Sequence, residues 1–256
     1  MIKHNSLKHL KLLAIALCLQ VPFASTLSAQ VQAEPSNQKA QTIPNHSKVS
    51  VTFSPPGAGK PDNSAGGASR SSAQCAQDPA NSGLAATPLT PANYQALTVA
   101  ARPTFFVYVP ETSARKVFFS LEGDDKNSHY QTTIPITGKA GIVSVSLPDS
   151  APALETGKNY KWSFVIMCGN ALRPDSPTVE GTIMRSQLNP TLTSQLEKAT
   201  PLERAALYGN GGIWYDTLAT VAELRRLEPN DSSIEATWTQ LLTSVGLDAI
   251  ATKPLL

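Results

Sequence analysis

The chain holds no block of lysine and arginine, no cluster of histidines and only one long apolar run. Each absence excludes a class of function. Four histidines occur in 256 residues, and past position 46 only His129 remains. A histidine-built zinc site or a Ser-His-Asp triad therefore lacks its parts. Aromatics are sparse too, at 6% of residues: 3 Trp, 7 Phe and 6 Tyr. Few are left to stack on sugar rings once a core is filled. After residue 25 no stretch approaches the ~20 apolar residues that span a bilayer, so the mature chain is expected to carry no transmembrane segment.

The one apolar run, LLAIALCLQVPFA, follows MIKHNSLKHLK, whose Lys3, Lys8 and Lys11 have no acidic neighbour. That order, closed by small residues in SAQVQAEP, reads as an export signal over 1–33 with cleavage after Ala29 or Ala33. The whole chain has 21 basic and 19 acidic residues, and loss of the three lysines leaves 18 against 19. The basicity belongs to the signal. Nothing remains to neutralise phosphates, so no nucleic-acid partner is expected. The expected location is the periplasm or extracellular space, with a thylakoid lumen as a further option.

Cys18 leaves with the signal, so Cys75 and Cys168 stand alone. In an oxidising compartment two cysteines read first as one disulfide. Two separate buried thiols are the alternative, because spacing does not prove pairing.

Residues 34–90 are rich in Pro, Gly, Ser, Ala, Gln and Asn and read as a flexible spacer. Its SAGGASR stretch lacks the Gly-Lys-Ser ending of a phosphate loop. A Cys75–Cys168 bond would instead hold Gly66, Gly67, Ser69 and Arg70 against the folded part, as a candidate partner surface. From 91 to 187 the texture is β. Strands are predicted at 104–109, 116–122, 129–136, 141–147, 159–168 and 178–184, with another near 95–101. Alternation assigns faces: Val143, Val145 and Leu147 share one side, as do Tyr160, Trp162, Phe164, Ile166 and Cys168. In ALETGKNYKW, a Leu and a Gly followed three residues later by Tyr resemble the tyrosine corner of immunoglobulin-like domains. The expected fold is an immunoglobulin- or fibronectin-like β-sandwich of about seven antiparallel strands.

Residues 188–256 read as a small helical subdomain packed on that sandwich. Asn189-Pro190 and Thr200-Pro201 pair a cap with a first-turn proline. Thr200 with Glu203, and Ser232 with Glu235, fit capping boxes. Ile234, Trp238, Leu241, Leu242 and Val245 make one apolar face. Around Trp214 the apolar positions spread over the circumference, so that helix needs neighbours on several sides. Tyr160, Trp162, Trp214 and Trp238 are the expected structural aromatics.

Two resemblances follow. YGNGGIWYDTLATVAELRRLEPND resembles a single helical hairpin of a tetratricopeptide repeat, with Thr217 where the repeat has alanine and no second copy present. A lone hairpin makes no solenoid groove. Over residues 66–250, the Gly-Gly-Ala-Ser-Arg run, RPTFFVYVP, GIVSVSLP, Tyr160-Lys-Trp162, Cys168, GIWYD, LRR and the Trp238–Leu247 segment together resemble a cyanobacterial family, domain of unknown function 928. Ser71 and Thr217 depart from its pattern. The resemblance implies an exported cyanobacterial protein and brings no activity, cofactor or catalytic residue.

No constellation indicates chemistry. Glu122, Asp124, Asp125 and Asn127 lack the ligand spacing of a calcium loop and read as a hairpin turn. His129 reads as a surface strand residue. Asp216 and Glu223, seven apart on one helix, read as solvated or paired with Arg185, Arg225 or Arg226. The expected function is a non-catalytic module, without cofactor or metal, that engages another envelope or secreted protein. Binding of carbohydrate or a surface polymer is the alternative, and a hydrolase with a carboxylate pair is the weaker third.

Overall fold

The computed structural model describes residues 49–56, 75–78, 83–92, 95–124 and 128–256. The stretch read as an export signal (1–33) and Gly66, Gly67, Ser69 and Arg70 lie outside these residues. Among the described residues, eight strands form two sheets. They are β1 (Thr87–Pro88), β2 (Leu97–Thr98), β3 (Thr104–Val109), β4 (Lys116–Gly123), β5 (Ser128–Pro135), β6 (Gly141–Ser146), β7 (Asn159–Met167) and β8 (Thr178–Arg185). One sheet has the order β1-β3-β6 and the other β2-β8-β7-β4-β5. Four helices follow: α1 (Pro190–Lys198), α2 (Pro201–Asn210), α3 (Trp214–Leu227) and α4 (Ser232–Thr243). No helix among the described residues is long and apolar enough to cross a membrane.

Six strands fall where the β-rich runs and the turns between them place them. Along β7, Tyr160, Trp162, Phe164 and Ile166 are buried while Lys161 is exposed. The expected all-antiparallel pattern needs correction at the start of the chain. β2 pairs parallel with β8, Leu97 opposite Met184, and β1 adds an eighth strand inside the stretch read as spacer. Both are two residues long, too short for periodicity to register.

The two sheets share their core with the helices. Phe105 of β3 stands 4.9 Å from Phe119 of β4, 5.6 Å from Trp162 of β7 and 5.5 Å from Tyr215 of α3. Gly181 of β8 faces Trp162 across the ladder, and a Cβ there would collide with the indole. The buried indole Nε1 donates to the Tyr215 hydroxyl at 2.7 Å, and that hydroxyl donates to Thr182 O at 3.1 Å. This chain of bonds satisfies polar atoms that would otherwise be orphaned inside. Burial pushes the Tyr215 hydroxyl's pKa far up, against the downward pull of the Trp162 bond, so it stays a donor.

Helix ends follow the sequence with one exception. Asn189 accepts from Leu192 N, and Thr200 with Glu203 completes the capping box. At α4 the cap is Asp231, which accepts from Ser233 N and Ile234 N. A carboxylate one residue earlier takes the site from Ser232, because it fits the partial positive charge at a helix start better than a hydroxyl. Arg225 ties α3 to α4 through both Glu235 oxygens, at 2.6 and 3.0 Å, while its guanidinium lies 5.3 Å from the Trp238 ring centre.

Candidate functional site

Three places hold the residues singled out by sequence. At one end, Cys75 and Cys168 lie at disulfide distance, with Cα atoms 5.2 Å apart. Cys168 directly follows β7, so its strand parity carries it to the point where the chain leaves the sheet. The Cys75 side is clipped by a second device. Asp78 Oδ2 accepts from Cys75 N at 2.8 Å, while Oδ1 accepts from Thr112 Oγ1, Ser113 N and Ser113 Oγ at 2.9, 2.7 and 2.8 Å. The turn that begins at Cys75 is therefore fastened to the β3–β4 loop by one carboxylate.

Burial raises the Asp78 pKa, but the Ser113, Thr112 and Cys75 donors together outweigh it, and the net shift is downward from 3.8. A carboxylate with a lowered native pKa contributes stability at higher pH and loses it as pH falls through that native value. Asp78→Asn should therefore cost on the order of 1 kcal/mol near neutrality. The difference from the parent should shrink as pH drops below about 4. Urea titrations of both proteins across that range check it; a gap independent of pH would show that the charge does not matter.

The second place is the α2–α3 hairpin. Val49–Pro56, part of the 34–90 stretch read as a flexible spacer, packs here. Val51 is 1% exposed, the Phe53 ring meets Trp214 edge-on at 5.0 Å, and Ser54 N donates to Gly209 O at 3.0 Å. A Cβ on Gly209 would collide with Thr52 O, so glycine lets the segment lie against the helix. Val49, Val51 and Phe53 alternate, a signal present in the sequence but outweighed by the polar residues around it.

The third place surrounds Asp216, expected to be solvated or paired with arginine. It is neither. Its Oδ2 accepts from Thr98 Oγ1 at 2.7 Å and Val99 N at 3.1 Å, closing the end of β2. Burial raises its pKa despite these donors. Arg185 uses Nε on Val99 O and Nη1 on Leu154 O, at 3.3 and 2.6 Å. Beside it, Thr156, Ser186, Gln187 and Thr193 line a shallow polar cleft. Glu223 meets Arg226 only at 3.9 Å. The structure does not bring Asp216 and Glu223 together as an acid–base pair: Asp216 serves the sheet and Glu223 faces solvent.

Tyr160 accepts from Glu155 N at 2.9 Å, the bond the ALETGKNYKW pattern anticipates. Trp162, Trp214 and Trp238 are each 0% exposed. His129 is half-buried, with Nε2 3.0 Å from Pro152 O and its ring 5.0 Å from Tyr160. Among the described residues no group of three or more His, Cys, Asp or Glu could hold a metal ion.

Residues 65–255 match the family described as Domain of Unknown Function (DUF928), and the chain belongs to it. No curated protein and no solved structure matches the chain.

Proposed function

We propose that this family member is an exported, non-catalytic interaction module, built on an immunoglobulin-like sandwich, that presents residues 57–74 to another envelope or secreted protein. The observation carrying the reading is that this polar stretch is fastened at both ends. On one side Phe53 and Ser54 are seated on α2 and α3; on the other, Cys75 is held by Cys168 and by Asp78. Binding residues concentrate on loops positioned by a rigid scaffold. A stretch with so little apolar content has no folding reason for two dedicated anchors. Gly66, Gly67, Ser69 and Arg70 sit within it.

The sandwich reading is supported by the split of strands between two sheets, in which the chain changes sheet after β1, β2, β3, β5 and β6. The Tyr160–Glu155 bond at the β6–β7 corner adds to it. The disulfide is compatible with an oxidising compartment. The α2–α3 pair reads as a lone tetratricopeptide-like hairpin used for packing. Carbohydrate binding gains no support, because no aromatic side chain among the described residues is fully exposed.

The test is capture from a periplasmic extract by the mature chain and by a Ser69→Ala/Arg70→Glu variant. The variant should melt like the parent and retain at least about tenfold less of the specific captured protein, as expected when a charge contact is reversed. Equal capture by both proteins would remove these residues from the interface.

A further inference from the structure

Two sheets have four outer edges, and an open edge recruits other strands unless it is guarded. Three are closed. Ile142 of β6 donates to Pro254 O at 2.7 Å and accepts from Leu256 N at 2.9 Å, so the chain end covers that edge. The β2 edge is capped by Asp216 of α3. β1 is only two residues long. The fourth edge, β5, is eight residues long and pairs only with β4 among the described residues.

β5 carries guards only at its ends. The ladder with β4 is irregular between Leu121 and Glu122, leaving His129 without a direct partner, and Pro135 closes the other end. Between them, Tyr130-Gln131-Thr132-Thr133-Ile134 has no charge, no proline and no glycine. Ile136 donates its N–H to Arg115 O in the same register. By antiparallel alternation, even-numbered β5 residues turn their backbone groups toward β4, and Gln131 and Thr133 turn theirs outward. Tyr130 and Ile134 are half-buried and pack on the core, so the even side chains share the inner face.

We propose that two copies of the chain pair through this edge, β5 against β5 antiparallel, with Thr132 opposite its own twin on the two-fold axis. The register follows from the window. Centred on Thr132, Gln131 faces Thr133 of the second copy and exchanges both backbone bonds with it, twice by symmetry. On the inner face Tyr130 meets Ile134 of the second copy, an aromatic–β-branched pair of the kind that stabilises sheets. A shift of one residue would put side chains on mismatched faces, and a shift of two would drive the window into Pro135 in one direction and into the irregular end at His129 in the other. The second copy is favoured because the window is neutral and self-matching: no like charges meet and every outward donor finds an acceptor. Five paired residues make a small interface, below the roughly 1,200 Å² of standard complexes, so the dimer is weak. This pairing does not depend on the role assigned to residues 57–74.

Sedimentation of the mature chain from about 1 µM to about 1 mM should show a reversible monomer–dimer equilibrium in the upper part of that range. Thr133→Pro removes an outward N–H that the β4 ladder does not use, as edge strands allow. It should leave melting unchanged and weaken dimerisation at least about tenfold. Thr132→Cys should trap a covalent dimer on mild oxidation, with a 132–132 bond identified by mass spectrometry. Gln131→Cys, whose twin lies diagonally across the axis, should not. A chain monomeric up to the highest concentration would overturn the proposal. So would a dimer that survives Thr133→Pro, or equal trapping at 131 and 132. If Thr133→Pro fails to fold, the two cysteine variants decide.

Discussion

Trp214→Ala should destabilise the protein by about 3–5 kcal/mol, the range for truncating a large buried aromatic, with the upper half expected. The indole is 0% exposed, and its Nε1 donates to Leu89 O at 2.8 Å, across 125 positions of sequence. Truncation leaves that buried carbonyl without its partner, an added cost of about 1–3 kcal/mol if water cannot reach it. It also removes the ring against which Phe53 lies. Two losses should therefore appear together in urea denaturation and limited proteolysis: a lower midpoint, and faster cleavage within residues 49–56. Trp214→Phe keeps most of the packing but not the donor, and should fall between the parent and alanine. Unchanged melting with altered partner capture would instead make Trp214 a recognition residue.

Removing the disulfide should have an effect of similar size. Cys75 and Cys168 are 93 positions apart, and closing a loop of that length in the unfolded chain is worth about 4–5 kcal/mol as an upper figure. Cys75→Ala/Cys168→Ala should lose less than this. The Asp78 clip to Thr112 and Ser113 still holds the same turn in the folded state, but it does not constrain the unfolded ensemble. A reductant makes the comparison internal: it should lower the urea midpoint of the parent to that of the double variant and leave the variant unmoved. Two titratable thiols in protein recovered from an oxidising compartment would sink the pairing.

What could be read from the chain divides by distance. β3 to β8 were legible because each is a run of six to nine residues rich in β-branched and aromatic side chains, bounded by turn residues. The Tyr160 bond was legible because both partners lie five residues apart. Thr200 and Glu203 announced their box for the same reason. Asp216 was misread because its partners, Thr98 and Val99, stand 118 and 117 positions earlier. An acid in a helix's first turn looks solvated until the sheet is placed beside it. β1 and β2 carry no period at two residues each, and the Val49–Pro56 segment shows its purpose only against the glycines of α2–α3. Of the candidate partner surface, the Cys75–Cys168 anchor was legible from compartment and count. Gly66, Gly67, Ser69 and Arg70 lie outside the described residues.

The long reach of those bonds also orders events during assembly. β4 to β5 and β7 to β8 pair between successive strands of the chain, and such local contacts form early because little loop entropy opposes them. The segments before residue 101 cannot finish in that way. Leu89 waits for Trp214, Thr98 for Asp216, and Ser54 for Gly209. A chain emerging from its N-terminus would leave these bonds unmade until the last quarter has arrived. Meanwhile the segments would be open to proteases and holding chaperones. The first part of the chain to appear would be among the last to be secured.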